Sequence, residues 1–243
     1  MTARLLAAKL ALGPVLLPQA RWVRRNALRL PEAAGAREGI VGTGQPALRI
    51  LVVGDSSAAG VGLADQAQAL ALPLAHKLHE TLQHGVGWQL VARSGVDCAA
   101  ARAMVADAKL ERADVVVTVL GVNDVTAQRS ASAYVKEVAG LWSDLQARTG
   151  ARWAVVCGLP PMGLLTVVPQ PLRWYLGRYA DWLDGALRQW AQAQSLGFCD
   201  LRWAADPALL ASDGFHPGPS LYPAWAARLA ASIAQARADS FHR

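Results

Sequence analysis

The 243-residue sequence predicts an α/β fold, a three-layer α/β/α sandwich around a roughly five-stranded parallel sheet. Three observations predict it. Several short β-type runs are apolar nearly throughout, with no alternation of faces, as expected of strands covered on both sides by helices. Helical patterns fall between these runs, so strand and helix alternate along the chain and imply right-handed crossovers. Small and polar residues follow the carboxyl end of each run, where open α/β sheets gather their chemistry.

The β-type runs are 48–53, 88–92, 115–120, 153–157 and 198–201. The first and third lack any polar face. Helical patterns occupy roughly 67–84, 99–110, 132–148, 172–194 and 220–237. The fourth of these shows how the layers are held. Leu172, Tyr175, Leu176, Tyr179, Trp182, Leu183, Ala186, Leu187 and Trp190 recur at three- and four-residue steps. They form one wide apolar stripe that reads as core, since each such side chain contributes roughly 1.5–3 kcal/mol on burial.

Charge divides the chain. Residues 1–49 hold eight Lys/Arg against Glu32 and Glu38, while the remainder is balanced, so the whole net charge of +6 sits N-terminally. A nucleic-acid binder carries its positive stripe on the folded body, and this body is neutral, so no nucleic-acid partner is expected. Residues 1–47 read as a basic, apolar arm and 48–240 as the folded domain. In the arm an apolar stretch, interrupted by Lys9 and Pro14, precedes Arg21, Arg24, Arg25 and Arg29. It is too short and broken to span a bilayer, and no clean Ala-x-Ala site follows it. Two placements stay open: residues 1–30 lie on an anionic membrane surface, or they form a helix docked on the body. The chain is accordingly expected in the cytoplasm or at a membrane through the arm, with export left open. Cys98, Cys157 and Cys199 form neither a metal spacing nor a disulfide framework and read as small buried hydrophobes.

The strand ends carry Gly54-Asp55-Ser56, Arg93-Ser94-Gly95, Gly121-Val122-Asn123-Asp124, Gly158-Leu159-Pro160-Pro161 and, after a longer excursion, Asp213-Gly214-Phe215-His216-Pro217. A phosphate loop would need a lysine after its glycines, and RILVVGDSSAAGVG has none. A dinucleotide fingerprint would need a third glycine and an acid ending the next strand, and both are missing. A serine nucleophile needs a hydroxyl held on a turn, a base for its proton, an acid for the base and donors for the oxyanion. The strand-end loops offer Ser56, His216, Asp213, a bare backbone N–H at Gly95 and the side-chain amide of Asn123. His76, His79 and His84 fall in or at the end of the first helical pattern, and His242 lies in the tail. Asp213 stands three positions before His216, so one turn of chain can bring its carboxylate to the ring Nδ1.

Taken together, these blocks resemble the SGNH, or GDSL-type, hydrolases. Gly54-Asp55-Ser56, Gly95, Gly121 to Asp124 and Asp213 to Pro217 occur in family order and span about 48–220. The resemblance implies an esterase or lipase on a flavodoxin-like sandwich, with no metal or organic cofactor. It implies Ser56 as nucleophile, in preference to the adjacent Ser57, with His216 as base and Asp213 orienting it. It places the oxyanion hole at the Ser56 N–H, Gly95 and Asn123. The leucine of the family's first block is Ser57 here.

Substrate is read from the fourth strand-end loop. Leu159, Pro160 and Met162 either line an acyl groove or pack on the aromatic helix, and Asp55 is added to the candidate substrate-binding residues. The expected substrates are small-molecule or lipid esters of short-to-medium acyl chains, with lysophospholipid and thioester cleavage in reach. Carbohydrate deacetylation, and a non-catalytic membrane-surface or interaction role on the same fold, are the alternatives.

Overall fold

The computed structural model describes residues 3–241; His242 lies outside the described residues. The chain runs α1 (Ala3–Asn26), β1 (Glu38–Val41), β2 (Leu48–Gly54), α2 (Ser56–Ala59), α3 (Ala71–Leu82), β3 (Val86–Ala92) and α4 (Cys98–Asp107). It continues through β4 (Val115–Val119), α5 (Val122–Thr126), α6 (Ala131–Thr149), β5 (Trp153–Cys157), α7 (Leu172–Ala193), β6 (Gly197–Cys199) and α8 (Leu221–Phe241). The sheet order is β1-β3-β2-β4-β5-β6. All pairings are parallel except β1 with β3. Val52 on β2 is paired with Leu90 on β3 and with Val117 on β4, so β2 is central.

The expected α/β/α sandwich forms, because the β2 and β4 side chains are buried on both faces. Ile50 and Val52 join a core with α3 and α8, while Leu51 and Val53 join one with α4, α6 and α7. In α7 the buried stripe contains Leu172, Tyr175, Tyr179, Leu183 and Leu187, with Gly177, Ala180 and Ala191; Trp182 and Trp190 lie on its margin.

The sheet has six strands and is not wholly parallel. β1 comes from the segment read as arm and, as an edge strand, leaves no pattern in the sequence. Glu38, Gly39 and Ile40 are exposed and Val41 alone is buried, so no apolar run marks it. Backbone pairing supplies its hold on β3, with Glu38 opposite Gln89. The start of the chain is a helix, α1, containing Pro14 and Pro18 and packed on α7 through Leu5 and Leu16. No helix among the described residues is long and apolar enough to cross a membrane.

The strand order fixes the position of the site. The chain leaves β2 for β3 on one side and later returns to β4 on the other, so the switch point lies beyond the carboxyl ends of β2 and β4. Ser56 follows the first of these ends and Asn123 the second.

Candidate active site

The turn after β2 is built by tight packing. A Cβ on Gly54 would lie 2.5 Å from the Ala58 Cβ and 2.8 Å from the Val119 carbonyl, so only glycine lets the chain bend there. The Asp55 N–H donates to that carbonyl at 3.0 Å, and Asp55 Oδ1 accepts from the Ser57 N–H at 3.0 Å, capping α2. The Tyr222 hydroxyl donates to the Ser57 carbonyl at 2.8 Å, bracing the turn from α8. Ser56 thereby becomes the first helical residue, 9% exposed, with its side chain in the wall of a cavity.

The loop before α8 brings the histidine to the same cavity. Asp213 Oδ1 accepts from the Phe215 and His216 N–H groups at 2.9 and 3.0 Å, while Oδ2 meets His216 Nδ1 at 2.5 Å. Burial works to raise the Asp213 carboxyl, but the ring contact and these two N–H donors outweigh it and hold the group below the usual carboxylate range. An ionised carboxylate only accepts, so in a neutral ring the proton belongs on Nδ1 and Nε2 is left to accept, the tautomer a general base requires. Ser56 and His216 both line the cavity without a direct hydrogen bond between their side chains. Such links commonly tighten only when substrate is bound.

One of the two expected oxyanion donors is bonded to the loop that carries the other. Asn123 Nδ2 donates to the Val96 carbonyl at 2.9 Å, tying α5 to the loop that carries Gly95. Gly95 is exposed with φ +80°, and a Cβ there would meet nothing within 4 Å. Backbone conformation is what asks for glycine at this place. Neither residue lines the cavity itself, although Val122, next to Asn123, does.

Two further acids are buried beneath these groups. Burial pushes the Asp55 carboxyl up to about 7, against the Ser57 hydrogen bond that lowers it and with help from the nearby Asp124 charge. Burial likewise raises Asp124 to about 6, although Asp124 Oδ2 accepts from the Cys98 N–H at 3.1 Å. Asp55 borders the cavity as expected, yet its hydrogen bond goes to the α2 turn.

The cavity has a volume of about 70 Å³ and is mostly apolar. Leu159, Pro160 and Met162 all line it, joined by Pro161, Leu164 and Leu165. The same loop packs on α7, where Gly177 comes so close that a Cβ would sit 2.7 Å from the Gly163 Cα. The loop thus both lines the cavity and packs on the aromatic helix. Tyr222, the Asn123–Val96 link and the cavity residues Phe215 and Trp225 went unread, since long-range contacts leave no local pattern.

A serine at the switch point, a carboxylate-bound histidine and an apolar cleft define a carboxylic ester hydrolase of the α/β class. Residues 52–224 match the model of the GDSL-like lipase/acylhydrolase family, and the chain belongs to that family. Among solved structures it is similar to a psychrotrophic esterase from Pseudoalteromonas sp., with 18% identity and a TM-score of 0.58 over 77% of this chain and 97% of that one. It is similar to a phospholipase A1 from Streptomyces albidoflavus, with 16% identity and a TM-score of 0.59 over 76% and 99%. A carbohydrate acetylesterase from Sinorhizobium meliloti shares 16% identity and a TM-score of 0.55 over 77% and 99%. At these identities the likeness shows the fold. No curated protein matches the sequence.

Proposed function

We propose that the protein hydrolyses carboxylic esters of short-to-medium acyl chains through an acyl-enzyme on Ser56. His216 Nε2 takes the Ser56 proton as Oγ attacks the ester carbonyl, and returns it to the leaving alcohol. Asp213 holds the ring and offsets the imidazolium charge. The Ser56 N–H, the Gly95 N–H and the Asn123 amide receive the oxyanion. Water then repeats the sequence on the acyl-enzyme and frees the acid. The observation that carries the reading is the 2.5 Å contact between His216 Nδ1 and Asp213 Oδ2, with His216 in the wall of the cavity that also holds Ser56.

Acyl length is read from the cavity. An apolar space of roughly 150 Å³ is enough for benzene, so a cavity of about 70 Å³ suits a short chain, with longer ones extending along the open apolar mouth. Lysophospholipid and thioester cleavage fall within this reading. The wall offers few polar groups for sugar hydroxyls, which favours acyl esters over carbohydrate acetates. The N-terminal residues 1–30 supply a peripheral lipid contact.

The test is an acyl-length series of p-nitrophenyl esters and thioesters, run on wild type and Ser56→Ala and paired with fluorophosphonate labelling. Turnover and labelling of wild type, both lost in Ser56→Ala, are expected. Absence of either from wild type, or survival of turnover in Ser56→Ala with loss in Ser57→Ala, overturns the assignment.

A further inference from the structure

Helix α1 is apolar on two sides and the body covers only one. Leu5 and Leu16 are buried against α7, with Ala8, Leu12, Ala20 and Val23 partly so. On another face Leu6, Leu10 and Leu17 are exposed, Leu10 by 72% and Leu17 by 62%. Between Arg4 and Arg21 the sole charged residue is Lys9, which is half-buried. A helix apolar all round needs a second cover. A bilayer span is not that cover, because the helix is not apolar enough over sufficient length.

What brackets the stripe points to the occupant. Arg21, Arg24 and Arg25 are exposed at its C-terminal end beside Trp22, which is 57% exposed. None of these arginines forms an ion pair among the described residues. An apolar stripe ending in tryptophan and unpaired arginines complements an anionic lipid surface, with the leucines among the acyl chains and the guanidinium groups at the phosphates.

The stripe is also tied to the catalytic loops. Gln19 donates to the Gln170 carbonyl at 2.7 Å and accepts from the Leu172 N–H at 3.1 Å. The segment that ends there carries Leu164 and Val167, both exposed, and Trp174 follows it. Leu164 lines the cavity, and Val167 packs on Gly214, the residue after Asp213.

We propose that α1 lays its outer face on an anionic lipid bilayer, with Leu164, Val167 and Trp174 entering the same interface, so that the cavity draws esters from the lipid surface. What the surface delivers rests on the ester-hydrolase reading; the attachment itself does not.

The test is flotation of full-length Ser56→Ala protein with phosphatidylcholine vesicles, with and without phosphatidylglycerol. Binding to the anionic vesicles, weakened by salt, is expected. Leu10→Asp with Leu17→Asp abolishes it, and each of Arg24→Gln and Arg25→Gln weakens partition roughly fivefold, the factor for about 1 kcal/mol per basic residue. In an otherwise wild-type chain the leucine variant keeps p-nitrophenyl butyrate turnover but loses turnover of a lysophospholipid held in anionic vesicles. No flotation, flotation unchanged by these substitutions, or a dimer in solution that Leu10→Asp with Leu17→Asp dissolves, overturns the proposal. Soluble-ester turnover without vesicle binding removes this inference alone. Vesicle binding without any ester turnover removes the hydrolase reading and with it the delivery step.

Discussion

The Tyr222 hydroxyl donates to the Ser57 carbonyl at 2.8 Å, joining helix α8 to the turn that displays Ser56. Tyr222 is fully buried, so Tyr222→Phe leaves a carbonyl without its partner. A loss of about 1–3 kcal/mol in urea denaturation is expected. Ester turnover falls through kcat more than KM, because the turn loses its brace while the cavity wall stays in place. Unchanged stability and kcat would show that the bond contributes nothing.

The pair of Asp213 and His216 sets a second expectation. Asp213→Asn still reaches the ring but no longer enforces the proton on Nδ1, and kcat is expected to fall about 10⁴-fold, as for triads of this kind. On the proposed mechanism Asn123→Ala removes one oxyanion donor, at a cost of about 10²–10³ in kcat. It also releases the Val96 carbonyl, so a small stability loss accompanies it. Kinetics with p-nitrophenyl butyrate read both, and a near-wild-type kcat in either variant contradicts the assigned role.

Asp55 predicts a pH dependence of stability. Its carboxyl is raised from 3.8 to about 7 in the folded protein. Below about pH 4 the folded and unfolded chains both hold this proton, and the full stability is present. Between about 4 and 7 the unfolded chain releases the proton first, so stability declines by about 1.4 kcal/mol per pH unit and levels off above about 7. Asp55→Asn keeps an acceptor for the Ser57 N–H and has no proton to lose. Denaturation midpoints of wild type and variant should therefore diverge across this window, the variant becoming relatively more stable as pH rises. Parallel curves would exclude a neutral buried acid at position 55.

Gly177 tests the cavity wall from behind. A Cβ there would come within 2.8 Å of the Gly163 nitrogen, a backbone atom that cannot swing aside. Gly177→Ala is expected to cost about 1–3 kcal/mol and to shift the preferred acyl length, since Met162 and Leu164 move with Gly163. An unchanged length profile would mean that the loop does not shape the acyl site.

The candidate site residues could be picked out because each stands in a short block at a strand end. Asp213 and His216 needed only three residues of spacing, and the contact between them is as local as the pattern that suggested it. The doubly covered strands 48–54 and 115–119 were legible for a related reason, since burial on both faces leaves an unbroken apolar run. Strand 38–41 was not, because an edge held by backbone hydrogen bonds places little demand on side chains. Helix α1 was only half legible: the sequence left a membrane surface and docking on the body both open, and its packing on α7 is a long-range contact that no local pattern displays. The raised carboxyls of Asp55 and Asp124 depend on what closes over them from α8, β4 and α4, and no stretch of sequence displays that.

The seat of Val167 on Gly214 gives the molecule a short mechanical path. Gln170, three residues along from Val167, is held by Gln19 of α1, and Asp213 immediately precedes Gly214. The loop that packs beside Asp213 is therefore anchored, three residues further along, to the N-terminal helix.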